Sequence, residues 1–552
     1  MIRLSTLFLL FTVSWLFMPS SRAGELAKRI DSIIKKQADG ELAQVSSDAE
    51  FLRRIYLDLN GIIPTYEETV AFLDDRDKNK RTKLIDILLN DSRYAVRMRE
   101  AVTVMLLERR IGTTTPVTKW NQFLESAFSK NKPWDQVVRE IITADAGNEE
   151  TYGSLKFFTA TGRTVHDQMT QDVARLFLGM NIHCAKCHDH PSVDDYKQSD
   201  YFGLLAFLNQ TKTAKHTGDN KTYLVEGVST GKLEFQSVFE PDTKHHVGPR
   251  LPGLVENDVH VFESGDEFEQ DPKDGLPGIP KFRPRMLLAQ QLASSENKQF
   301  VQNSVNRFWY LIMGRGLVHP LEMIHSDNPP SHPELLELLS AEFANSGFDV
   351  KHLIREIVLS DSYQRSSQLA EDETEQSCPP ESYKVAISKG LTPEQAAWSI
   401  MRATGVLAEM QNAKPDPDTT FSFKDYINDR IPAPSNLQDT MTLFVSVFGS
   451  PPGVAEVEFQ PSMGQALFLM NEKLILEWLK PQEGRLIHKL EMIEDDAQVA
   501  KELYVTVYSR YPTAEEVAMV EEFLQGNSQR RTDAIAEFAW AMITSAEFRL
   551  NH

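Results

Sequence analysis

The chain has 552 residues, with 58 Lys and Arg against 79 Asp and Glu, a formal net charge of −21. That length allows two to four domains with ample core, and the acidic excess argues against nucleic acid or an anionic membrane surface as partners. The acidic excess reads first as a solubility feature, with a basic redox partner as the sharper alternative, and three cysteines exclude a disulfide framework.

In chain order the first feature is a leader. Arg3 precedes an apolar run from Leu4 to Met18, and Ser21-Arg22-Ala23 offers a small-x-small cleavage site. Residues 1–23 therefore read as a secretory signal peptide cut after Ala23. The run falls short of the ~20 residues that a membrane span needs, and no later segment is apolar for that long. The expectation is a periplasmic or secreted protein with no integral membrane span.

The mature chain reads as mainly α: two helical domains joined by a Pro/Gly-rich connector with a small β element. The helical domains cover residues 24–210 and 281–552, and the connector covers 211–280. Within the connector, Tyr223–Val228, Lys232–Phe239 and Val259–Phe262 have β-type composition. Asp271-Pro272-Lys273-Asp274-Gly275 lacks the further oxygen ligands of a calcium loop and reads as a turn. An internal repeat aligns Tyr56–Glu68 with Tyr504–Glu516 without gaps, and a looser copy begins at Ser331. Thr65 with Glu68, Thr513 with Glu516, Ser331 with Glu334 and Thr392 with Gln395 have capping-box spacing. The copies read as helical hairpins that serve packing.

The chemistry-bearing feature is Cys184-Ala185-Lys186-Cys187-His188. C-x-x-C-H is the c-type haem attachment pattern: each thiol can form a thioether to one vinyl group, and the histidine that follows ligates the iron. Met169, Val173, Leu176, Phe177 and Met180 recur at helical spacing, so an amphipathic helix is expected to deliver its C-terminal end to Cys184. The sequence holds no methionine between Met180 and Met286. The sixth ligand is therefore a histidine, a distant methionine or nothing. His216, His245 and His246 are the connector candidates, while His190 is kept on the proximal side by its closeness to His188. The same cysteines and histidines also suit a structural zinc site or a C-x-x-C disulfide. Cys378 stands apart from the motif in a polar stretch, Glu371–Pro380.

Two longer stretches carry a resemblance. Phe51–Thr65 followed by Cys184–Pro191 resembles a planctomycete cytochrome-like domain. Val305-Asn306-Arg307-Phe308-Trp309, Gly314–Val318 and Asn328–Leu336 resemble the uncharacterised planctomycete domain that follows it, and Gln465–Asn471 and Ser545–His552 fit its C-terminal part. The resemblance implies an exported cytochrome-like protein and no particular reaction. Ser331, His332, Asp327 and His325 suggest a hydrolase-like cluster, but no serine there has the glycine-flanked nucleophile-elbow context. His332 and Arg307 are left as candidate partner or substrate contacts. Two functions follow as expectations. One is a covalent haem protein that exchanges electrons with a partner in the periplasm. The other is an exported enzyme or polysaccharide-binding protein whose Cys/His cluster is structural.

Overall fold

The computed structural model describes residues 24–112, 114–144, 146–160, 166–369, 374, 377–414, 421–428, 430–456 and 462–552. The leader expected over residues 1–23 lies outside these residues. The protein is mainly α, with short antiparallel strand pairs, and no described helix is long and apolar enough to cross a membrane.

The buried apolar side chains form two cores among the described residues. The first runs from Leu26 to Tyr383 and takes in Trp120, Phe177, Trp309 and Ile354. The second holds Leu391 to Phe548, joined by Leu57 and Ile63 from the N-terminal region. The break between the cores thus falls between Tyr383 and Leu391, not at the connector. The segment after the connector packs into the same core as residues 24–210, because the helices Lys298–Met313, Pro333–Asn345 and Val350–Leu359 bury their apolar faces there.

The repeat is a helix, a left-handed turn and a capped helix. Asp48–Asn60 ends at Gly61 (φ 71°), and Thr65 caps Tyr66–Asp74. Asp496–Tyr508 ends at Ser509 (φ 61°), and Thr513 caps Ala514–Gly526. The boxes at Thr65, Thr513 and Thr392 form as expected, and Ser462 with Gln465 makes another. The Ser331–Glu334 box does not form. His332 is the N-cap residue of Pro333–Asn345 and makes no side-chain cap bond, while the Ser331 amide donates to Leu317 O at 2.7 Å. Because Thr513 accepts from the Glu516 amide at 3.3 Å and Glu516 returns the bond at 2.8 Å, Thr513→Ala is expected to lower stability by about 1 kcal/mol. Denaturant titration checks this, and an unchanged midpoint contradicts it.

The connector contains three hairpins: Thr211–Lys215 with Thr222–Glu226, Leu233–Phe235 with His245–Val247, and Phe268–Gln270 with Ile279–Pro280. Val259–Phe262, expected as a strand, is irregular. A two-residue pair, Lys389–Gly390 with Leu550–Asn551, lies outside the connector. The 271–275 stretch is a turn: Lys273 and Leu276 exchange backbone hydrogen bonds, and Gly275 has φ 82°.

The seam between the cores is polar. Asp58 accepts from Lys389 Nζ at 2.5 Å, Asn551 Nδ2 at 2.7 Å and Tyr363 OH at 2.9 Å. Arg53, fully buried, donates to the carbonyls of Val507 and Phe548. Arg109 pairs with both Glu394 and Glu456. Beside them Trp398 Nε1 donates to Glu100 Oε1 at 3.1 Å, while Glu100 Oε2 is buried with no hydrogen-bond partner. Burial, then the Glu394 carboxylate, push the Glu100 carboxyl up to about 7, against the pull of Arg99, Trp398 and Arg97. Glu394 is held low by Arg109 in spite of its own burial.

This has a sign. A carboxyl whose folded value exceeds its unfolded one contributes stability that is complete below the unfolded value, near 4.5, and is lost as pH rises through about 7. Glu100→Gln keeps the donor-facing oxygen and removes the titration. The wild type is expected to lose on the order of 2 kcal/mol more than this variant between pH 4.5 and 7.5. Thermal melts across that range test it, and parallel pH profiles would contradict it.

Candidate functional site: the Cys184–His188 loop

The helix that delivers the motif is His166–Val173, continued by a π-helical turn over Ala174–Leu178. Met169, Val173, Leu176 and Phe177 are buried on its core face, as their spacing requires. The turn ends at Gly179, φ 68°. A Cβ there would lie 2.6 Å from Ile324 Cδ1 and 2.8 Å from Asn303 Oδ1, so both the left-handed backbone and the close approach call for glycine. Helix ends leave carbonyls without intrahelical partners. Here one helix of the second region supplies them: Arg307 donates to Arg175 O at 2.8 Å, Asn303 to Leu176 O at 2.8 Å and Gln299 to Leu178 O at 2.9 Å. Spaced at i, i+4 and i+8, these side chains lie along one helix face. Arg307, expected as a candidate partner contact, is therefore a buried structural residue. Gln299 and Asn303 gave no sequence signal, because their role exists only across the tertiary contact.

Charges fix the same turn. Arg175 pairs with Glu108, with Asp172 at 2.8 Å and with Glu322 at 3.1 Å, and Arg110 pairs with Asp172 at 2.6 Å. Next, residues 179–181 lie antiparallel to 322–324: the Asn181 amide donates to Glu322 O, the Ile324 amide donates to Gly179 O, and Met180 stands opposite Met323. A methionine of the second region thus reaches the segment just before the motif.

Cys184–Lys186 forms a single 3-10 turn. Ala185 is buried and anchors it, while Cys184 and Cys187 are free and exposed. Lys186 bonds Asp167, which also accepts from Tyr201 OH at 2.7 Å. The Lys186 bond is the main cause that lowers Asp167, and burial, then Asp167 and Cys187, raises Tyr201. Asp189 Oδ1 accepts from the Gln198 amide at 2.8 Å, at the start of the helix Gln198–Leu208. Gln198 Nε2 then bridges Lys186 O and Gln236 O.

The two neighbouring histidines differ in tautomer. His188 Nδ1 lies 2.6 Å from Asp189 O. A carbonyl only accepts, so Nδ1 carries the hydrogen and a neutral His188 keeps its lone pair on Nε2, the arrangement that a metal-ligating imidazole needs. His190 Nδ1 accepts from the Ser192 amide at 3.2 Å, which puts the hydrogen of its neutral form on Nε2. The His190 ring meets Tyr196 edge-on at 5.7 Å, and Tyr196 meets His325 at 5.6 Å.

Of the connector histidines, His216 bonds Asp219 at 2.8 Å and packs on Tyr223. Its hairpin is tied to Glu149 through Lys221 and to Asp274 through Thr217. That environment holds the Asp219 carboxyl down at about 2, chiefly through the Lys221 amide. His245 and His246 lie on the second hairpin, whose connecting loop rests on the motif. The Val238 amide donates to Cys187 O at 3.0 Å, and the Phe239 ring lies 5.0 Å from that of His188. The structure thus brings the hairpin of His245 and His246 to the motif and leaves His216 elsewhere.

No cluster of three or more His, Cys, Asp or Glu among the described residues is arranged to hold a metal ion. The donors for a bare zinc site are therefore not gathered, whereas a haem brings four nitrogens of its own and asks the protein for one axial imidazole and two thiols. The residues fit that demand: two accessible thiols and a histidine of the right tautomer. The hydrolase-like cluster is not assembled. His332 Nδ1 lies 3.2 Å from Ser331 Oγ and its ring packs on Tyr383; burial lowers its pKa. Asp327 is exposed and makes no hydrogen bond to His332 among the described residues.

Residues 29–213 match the PSCyt2 family, a protein of unknown function (DUF1549), and residues 284–524 match the PSD1 family, likewise a protein of unknown function (DUF1553). No curated protein and no solved structure matches the chain. The chain therefore carries a PSCyt2 region followed by a PSD1 region, with the Cys184–His188 loop inside the first and braced by side chains of the second.

Proposed function

We propose that this is an exported c-type cytochrome-like protein that binds one haem covalently at Cys184 and Cys187 and exchanges electrons with a periplasmic partner. The observation that carries the reading is the pairing of two free, exposed thiols with a His188 whose Nδ1 hydrogen is taken by Asp189 O. Cys184 and Cys187 would hold the haem and His188 would ligate its iron from the proximal side. The bound group would supply one-electron redox chemistry. The protein's part is orientation. Gln198 and Asp189 fix the loop after the motif, the Asp167–Lys186 pair fixes its middle, and Gln299, Asn303 and Arg307 fix the helix before it.

Producing the chain with a c-type maturation system tests the reading. The expected product is red and keeps its haem stain through denaturing electrophoresis. A colourless product that carries zinc instead would favour the second reading, an exported enzyme or polysaccharide-binding protein with a structural Cys/His cluster.

A further inference from the structure

We infer that His245 supplies the second axial ligand of the haem, reaching it from the connector hairpin that rests on the motif. This rests on the covalent-haem reading and adds the ligand of the iron's other side.

The hairpin is held at the motif by three contacts. The Val238 amide bonds Cys187 O, Gln198 ties Gln236 O to Lys186 O, and the Phe239 ring lies against His188. Strand alternation then separates the two histidines. In the register Phe235 stands opposite His245 and Glu234 opposite His246. Neighbouring strand residues point to opposite faces, and residues directly opposite share a face. Phe235 faces the helix Gln198–Leu208, stacked on Phe202 at 4.6 Å and 8°. His245 is on that face, stacked on Phe235 at 5.3 Å. His246 is on the other face, with Nε2 3.5 Å from Glu234. The helix that carries Phe202 is the one whose first residue, Gln198, holds the motif. His245 is exposed, and its ring nitrogens make no hydrogen bond among the described residues.

The alternatives sit less well. His216 is engaged by Asp219 on a hairpin tied to other elements. Met323 pairs with Met180, on the segment before the motif. His325 packs on Tyr196 at the contact with the second region.

Two histidine ligands leave no open position and give a lower potential than His/Met ligation. The test uses the full mature chain loaded with haem. The reduced wild type is expected to bind carbon monoxide poorly, and His245→Ala to bind it at least ten-fold more extensively at the same concentration. His245→Met is expected to show a methionine-to-iron charge-transfer band and a raised potential, which a merely misfolded variant would not. His216→Ala and His246→Ala should match the wild type. Stoichiometric carbon monoxide binding by the wild type overturns the assignment. So does an unchanged spectrum in His245→Ala, most directly if Met323→Ala or His325→Ala opens the site instead. A wild type without covalent haem overturns the underlying reading, and this assignment with it.

Discussion

Arg175→Met is expected to destabilise the protein by about 3 kcal/mol or more, the usual cost of stripping a buried carboxylate of its partner. Arg175 faces Glu108 and Asp172, whose side chains are 2% and 0% exposed, and it also reaches Glu322. Methionine keeps much of the volume and removes the charge. Arg110 would remain, 2.6 Å from Asp172 but 3.4 Å from Glu108, so Glu108 loses more. The same change loosens the π-helical turn that ends at Gly179. Covalent haem yield under maturation should therefore fall along with stability. Denaturant titration and haem yield together check this. A loss below about 1 kcal/mol would mean that the pairs contribute little beyond their own desolvation cost.

Replacing both Cys184 and Cys187 with serine is expected to abolish covalent haem while leaving the fold nearly unchanged. Both side chains are exposed and make no disulfide, and the anchor of the turn is the buried Ala185. Surface substitutions of this kind usually cost within about 0.5 kcal/mol. Each single serine variant should retain one attachment point and a reduced yield. His188→Ala differs: both thiols survive, so attachment persists at lower yield, but the visible spectrum loses the signature of the proximal imidazole. Haem-stained electrophoresis of the four variants, with circular dichroism for the fold, separates attachment from ligation. A double serine variant that melts several degrees lower and had no haem to lose would identify the cysteines as structural.

Local signals were legible in the sequence. Thr65, Thr392 and Thr513 cap their helices because a capping box closes within four residues. The helix into the motif follows its apolar spacing. Ser331 fails for a long-range reason: its amide is held by Leu317 O, which leaves His332 as the N-cap residue. Val259–Phe262 has strand composition but pairs with no strand among the described residues, and β propensity is realised only where a partner edge exists. The missing local methionine was legible too, but not that Met323 would return to stand beside Met180. What the sequence hid most fully is the bracing of the motif. Gln299, Asn303 and Arg307 are ordinary polar residues along a helix until that helix meets the carbonyls of Arg175, Leu176 and Leu178. The seam between Tyr383 and Leu391 was likewise hidden, since it depends on which helices share a core.

The most direct measurement is the intact mass of the protein, made with and without a c-type maturation system and taken under denaturing conditions. A gain of one haem mass that requires the maturation system, and that maps on digestion to the peptide containing Cys184 and Cys187, is the predicted result. An unmodified mass in both preparations, with Cys184 and Cys187 recovered as free thiols or as a disulfide, would contradict the account.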